Sequence, residues 1–147
     1  MAGTFTLEVH TPYRLFFSGA VEALILSLLD GEICVYAHHS PFTAPVRTGI
    51  LRIKDEEGRW RAAFTTEGIL EVKEKKAVLL VDAAEWPGEI DTARAGAAKQ
   101  QAGETLKTSA FKFEIDNARE RLARAEMRLK VFALGEKTPG PVGAPPQ

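Results

Sequence analysis

Ile90-Asp91-Thr92-Ala93-Arg94-Ala95 stands where a strand-rich chain becomes a helical one, and reading outward from it in both directions defines the architecture. On its C-terminal side, residues 91–106 are dominated by Ala, Lys, Gln and Glu, which favour helix. Asp91 is a good N-cap for that helix. Asp91 and Arg94, three residues apart, share one face, where they can pair with each other or receive a ligand. On the N-terminal side, Trp86-Pro87-Gly88 reads as a linker that closes everything before it.

Before that linker the pattern has a period of two. Phe5, Leu7 and Val9 alternate with Thr4, Thr6 and Glu8, which predicts a strand and not the apolar block of a signal peptide. Gly19 separates Leu15–Phe17 from the apolar run that follows, and Asp30-Gly31 predicts a tight hairpin turn. Pro41 and Pro45 bracket what reads as a loop, because proline is excluded from central strands. Two further hairpins turn at Asp55–Gly58 and Lys73–Lys76. About ten closely spaced strands without intervening helices favour an antiparallel β-sandwich. A segment of about 85 residues buries enough surface to fold alone.

After the junction, Lys107-Thr108-Ser109 is short and polar, with Thr108 or Ser109 available to cap a second helix. Phe111, Ile115, Ala118, Leu122, Ala125, Leu129 and Phe132 then recur at alternating steps of four and three, a heptad stripe ended by Gly135. A short link between two helices makes them antiparallel neighbours. The first helix is intrinsically weak, because Gly96 and Gly103 each cost ~1 kcal/mol relative to alanine. Two compatible readings follow: the glycines let the second helix approach closely, or they leave the hairpin only marginally stable and able to open. The expected organisation is a β-sandwich over residues 1–86, a helical hairpin over 87–135 and a disordered Pro/Gly-rich tail over 136–147.

Composition narrows the function. A formal charge of -1 offers no basic excess for neutralising phosphates, which argues against a nucleic-acid partner. The longest apolar stretch, near Val21–Leu29, is interrupted by Glu22 and Ser27 and falls short of the ~20 residues of a membrane span. No direct membrane insertion is expected. The single cysteine, Cys34, lies in an apolar run and reads as a buried, inert thiol in a reducing compartment. There is no P-loop, no serine elbow and no Cys/His ligand cluster, and His38-His39 lacks further ligands at metal spacing. The chain is expected to be no enzyme, to require no cofactor and to carry neither catalytic nor metal-binding residues.

Several fragments, in this order and spacing, resemble the epsilon subunit of the bacterial F-type ATP synthase over about residues 3–134. They are Phe16-Phe17-Ser18-Gly19-Ala20-Val21-Glu22, Asp30-Gly31-Glu32, Tyr36-Ala37-His38-His39-Ser40-Pro41, Gly68-Ile69-Leu70-Glu71-Val72, Asp82-Ala83-Ala84-Glu85 and the six residues at the junction. The chain departs from the family pattern at Glu67-Gly68, where paired glycines are usual, at Cys34, at Ala37 and in its tail; the loop over 36–41 is therefore expected to meet its partner somewhat differently.

The resemblance implies a ten-stranded antiparallel sandwich followed by a two-helix antiparallel hairpin. It implies a non-catalytic rotor subunit of the central stalk, whose sandwich binds the gamma subunit and the c-ring loops at the cytoplasmic face of the bacterial inner membrane. Glu32 and His39 fall at positions that face the rotor, against the plainer readings of a turn carboxylate and a loop hydrogen bond. The hairpin would be regulatory, either folded on the sandwich or extended into the head of alpha and beta subunits, where it impedes ATP hydrolysis. ATP is the implied ligand of the compact form. Arg94, Arg124 and Arg128 would hold phosphates, because guanidinium offers a planar fork of donors. Glu85 and Asp91 would orient those arginines or accept hydrogen bonds from the base or ribose.

The plainer reading makes Asp91 a helix cap, Arg94 its partner, and Arg119, Arg121, Arg124 and Arg128 a solvated face alongside Glu114, Glu120 and Glu126. The basic face, Arg121 included, also suits an acidic loop of the beta subunit. The competing non-enzyme reading is a free-standing sandwich that binds a small ligand or peptide, with the helices as a dimerisation hairpin.

Overall fold

The computed structural model describes residues 3–135; the tail expected to be disordered, 136–147, lies outside them. Nine strands precede two helices: β1 (Phe5–His10), β2 (Leu15–Leu28), β3 (Gly31–Tyr36), β4 (Phe42–Val46), β5 (Gly49–Asp55), β6 (Trp60–Thr65), β7 (Gly68–Val72), β8 (Lys76–Val81), β9 (Ala84–Glu85), α1 (Thr92–Thr108) and α2 (Lys112–Leu134). A single 3-10 turn, Pro87–Glu89, joins the two parts.

β2 organises the sandwich. Leu15–Phe17 and the following apolar run form one strand of 14 residues, where the sequence reads as two segments divided at Gly19. Its first half pairs with β1, and its second half pairs with β3 and β5, so it runs through both layers. Between Val21 and Ala23 the pairing with β5 slips by one residue at Glu22. That bulge lets Val21 and Leu24 both face the core, where each is fully buried. Glu22, turned outward, meets Lys54 at 3.3 Å.

Two strand expectations are corrected. The described residues hold nine strands, not ten, and they are not all antiparallel, because β1 and β8 run parallel. Phe42–Val46 is a strand although Pro45 lies within it. β4 is laddered to β7 along its length but touches β2 only at Leu28↔Val46. A residue without an N–H is tolerated on such a half-open edge. The Asp30-Gly31 turn joins β2 to β3, and Gly31 takes a positive φ of 140°.

Leu7, Val9, Leu24, Leu51, Leu70 and Leu79 fill the space between the layers. A smaller cluster of Ala23, Ile25 and Trp60 lies apart from that core, with Cys34 packed against it half-buried, not fully buried as its apolar neighbours suggested.

The helices meet through alanines. Ala95 and Ala102 on α1 and Ala118 and Ala125 on α2 are the buried residues of the seam, each pair one heptad apart. A methyl group added at Gly96 or Gly103 would meet nothing within 4 Å, so these glycines do not provide the close approach. Their neighbours Ala95 and Ala102 do. The predicted stripe on α2 frays at its ends: Phe111 is 69% and Phe132 49% exposed, and the buried line ends on Val131. Neither Thr108 nor Ser109 is the N-cap of α2. Thr108 closes α1, its hydroxyl donating to Glu104 O, and Ser109 Oγ accepts from Phe111 N–H and donates to Glu114. α2 docks on the sandwich through Val131 and Met127, which pack on Phe64, Ile90 and Ile50.

Candidate functional site

The strand that leaves the sandwich, the 3-10 turn, the start of α1 and the last third of α2 converge on one cleft of about 370 Å³. Glu85 comes from β9, Glu89 from the turn, Asp91 and Arg94 from the head of α1, and Arg128 from α2, with Ala95 and Ala98 leaving room between the helices.

Each carboxylate is already engaged. Arg128 donates from Nε to Glu85 Oε1 at 2.9 Å and from Nη2 to Oε2 at 3.4 Å, and its guanidinium lies 4.5 Å over the Phe64 ring. This fork joins α2 to the sandwich. Glu89 is held from outside the cleft by Arg14 of the β1–β2 turn, through two bonds of 2.8 Å. Arg14 also donates to Ala84 O and lies 5.1 Å over the Phe16 ring. The Arg14 hydrogen bonds hold the Glu89 carboxyl below its ordinary value, and the same contact raises Arg14. Glu89 closes the turn as well, its carboxylate accepting from Trp86 N–H while its own N–H donates to Trp86 O. Asp91 caps α1, with Oδ1 accepting the Arg94 N–H at 3.0 Å.

The remaining cation is Arg94, which is exposed and has no carboxylate within 4 Å of its guanidinium among the described residues. The structure thus brings Glu85, Asp91, Arg94 and Arg128 together. Arg124 does not line the cleft: its Nη2 pairs with Glu120 at 3.0 Å, and its buried Nε has no hydrogen-bond partner among the described residues. Glu32 is the second residue of β3, and His39 lies three residues beyond that strand's other end. Glu32 approaches Arg52 at 3.7 Å, and His39 Nδ1 lies 3.0 Å from Ser40 O, with the ring tilted against Phe42. Arg121 is exposed on α2.

Sequence reasoning missed Glu89, its clasp with Arg14, and Phe64 beneath Arg128. Only the position of Glu89, two residues before the Asp91 cap, hinted at it; Arg14 is 75 residues away in sequence. Among the described residues no three His, Cys, Asp or Glu side chains gather as metal ligands, and no helix is long and apolar enough to cross a membrane.

Residues 4–87 match the family of the ATP synthase delta/epsilon chain, beta-sandwich domain, and residues 89–133 match that of the ATP synthase delta/epsilon chain, long alpha-helix domain. The chain belongs to the ATP synthase delta/epsilon family. It is 46% identical over 132 residues to the ATP synthase epsilon chain of Caldanaerobacter subterraneus subsp. tengcongensis, covering 89% of this chain and 95% of that one. It is also 46% identical over 127 residues to the epsilon chain of Caldicellulosiruptor bescii, covering 86% and 92%. Among solved structures, a chain of the Euglena gracilis mitochondrial ATP synthase OSCP/F1/c-ring assembly superposes with a TM-score of 0.77 at 19% identity, over 87% of this chain and 80% of that one. A chain of the Tetrahymena thermophila mitochondrial ATP synthase central stalk and c-ring gives 0.59 at 14% identity, over 87% and 96%. At those identities the likeness is one of fold. The match with the epsilon chains spans sandwich, junction and hairpin, and so includes the whole cleft.

Proposed function

We propose that this epsilon-family chain is a non-catalytic rotor subunit whose hairpin is a nucleotide-responsive regulator. In this reading the sandwich sits in the central stalk between gamma and the c-ring loops, peripheral to the cytoplasmic face of a bacterial membrane. Glu32, in β3, and His39, beyond that strand's other end, face the rotor there. The hairpin, with Arg121 on its exposed face, reaches the alpha and beta subunits when it leaves the sandwich.

The observation that carries the regulatory part is Arg94, a cation without an ion-pair partner beside the Arg128–Glu85 fork. A polyphosphate is the ligand that such a cleft suits. Arg94 offers it an open planar fork, and Arg128 joins once phosphate oxygens compete with Glu85 for its donors. Because α1, α2 and β9 all contribute, ATP bound there favours the compact hairpin by its differential affinity for that form. Arg124 enters only by releasing Glu120, so its share is smaller. Asp91 and Glu85 cannot ligate phosphate without a metal; Asp91 holds the head of α1, and Glu85 holds Arg128 until ligand arrives. The dimerising-hairpin alternative is not favoured, because the alanine seam and Val131 are covered within one chain.

The test is calorimetric titration of the purified chain with ATP, with and without magnesium, beside Arg94→Ala, Arg128→Ala and Arg124→Ala. Saturable binding lost in the first two variants, and weakened less in the third, is expected. Absence of heat up to millimolar ATP would remove the nucleotide from the reading and leave the rotor role standing.

A further inference from the structure

A second cleft, of about 320 Å³, opens between the sandwich and the far end of α2, and three cations converge on it. Arg47 and Thr48 lie in the turn between β4 and β5, Arg52 on β5, Ser27 near the end of β2, Glu32 at the start of β3, and Lys130 on α2. Two of the cations have no carboxylate within 4 Å among the described residues: Arg47 and Lys130. Arg52 reaches Glu32 only at 3.7 Å, and that carboxylate is 57% exposed. One acid against three bases leaves two formal positive charges in excess, brought together from separate elements across the docking interface. Like charges placed so near one another repel, and a bound anion relieves the repulsion.

Neutral donors complete the lining. Thr48 Oγ1 accepts the Glu67 N–H at 3.1 Å, which leaves its own proton to donate, and the Ser27 hydroxyl lies nearby in the wall. Guanidinium, ammonium and hydroxyl donors brought in from separate elements can serve the several oxygens of a phosphate, whose charge answers the excess in the cleft. We infer that this cleft is a second anion site, which takes inorganic phosphate or a short soluble polyphosphate. The ligand bridges Arg47 on the sandwich to Lys130 on α2, with Glu32 swinging outward from Arg52. It holds the docked hairpin independently of the cleft at Arg94.

Pyrophosphate is the probe, titrated calorimetrically into the full chain carrying Arg94→Ala, which removes the unpaired cation of the first cleft and keeps the Arg128–Glu85 fork that docks α2. Saturable one-site binding is expected there. Adding Arg47→Gln or Lys130→Gln should weaken it about tenfold or more, the loss of one charge-assisted hydrogen bond. Lys130→Arg should retain binding, and pyrophosphate should slow amide exchange in α2 only where Arg47 and Lys130 are intact. Both residues are exposed, so the substitutions leave the fold in place. No saturable binding in the Arg94→Ala background, or binding indifferent to Arg47→Gln and Lys130→Gln, overturns the proposal. Neither result bears on ATP at the first cleft, which is measured with Arg47 and Lys130 unchanged.

Discussion

Thr66 and Gly68 decide how β7 enters the sheet. The Thr66 hydroxyl, fully buried, accepts the N–H groups of Asp82 and Ala83 at 3.0 Å each. Thr66→Val would keep the shape and strand both donors, and should cost about 2 kcal/mol in urea unfolding. Gly68 lies so close to β8 that an added Cβ would overlap the backbone carbonyl oxygen of Leu80. Gly68→Ala should therefore lower stability by ~1–3 kcal/mol, measured in the same way. A glycine beside a strand was visible in the sequence, but the atom it avoids belongs to a residue 12 positions further on. Glu89 gives a pH dependence. Its carboxyl is depressed in the folded chain by Arg14, so the clasp stabilises above the ordinary glutamate range, and that stabilisation is lost as pH falls through the folded value. Unfolding midpoints measured from roughly pH 6 to pH 3 should fall less steeply for Arg14→Gln than for the parent chain.

At the scale of elements, α1 is a poor helix kept in place by its neighbour. Gly96 and Gly103 weaken it without serving the seam, since nothing lies within 4 Å of where their side chains would be. Gly96→Ala and Gly103→Ala should each stabilise the hairpin by up to about 1 kcal/mol, seen as slower amide exchange in α1 and α2. Leucine at Ala102, which is fully buried, should instead force the helices apart. The heptad stripe was readable because α2 is long and its period is regular. Its true ends were not, because exposure of Phe111 and Phe132 depends on where α1 stops and where the sandwich begins. The β4 strand was misread for a related reason. Pro45 is incompatible with a central strand, and only pairing reveals that β4 borders β2 at a single residue pair.

For the whole molecule, the hairpin is docked on the sandwich by little: the Val131 and Met127 contacts on Phe64, Ile90 and Ile50, and the Arg128–Glu85 fork. Val131→Ala should weaken the docking by roughly 2 kcal/mol. Limited proteolysis should then cut the helices while the sandwich, with its separate core, stays intact. If Val131→Ala leaves the helices as resistant as in the parent chain, the seam between them rather than the docking protects them. A hairpin attached so lightly has a balance that a ligand of ordinary affinity can shift.

Local pattern alone determined the two-part architecture: period-two alternation before Trp86, helix-forming composition and a heptad stripe after it, and Asp91 as the cap between them. These signals are carried by neighbouring residues, so they survive without knowledge of the fold. Tertiary structure decided what depends on distance in space. It runs β2 through both layers, lays β1 parallel to β8, clasps Arg14 to Glu89, and divides the arginines so that Arg94 and Arg128 share a cleft while Arg124 turns to Glu120. Side chains of one type at helical spacing are equivalent in sequence. They become different only when a folded neighbour offers one of them a partner.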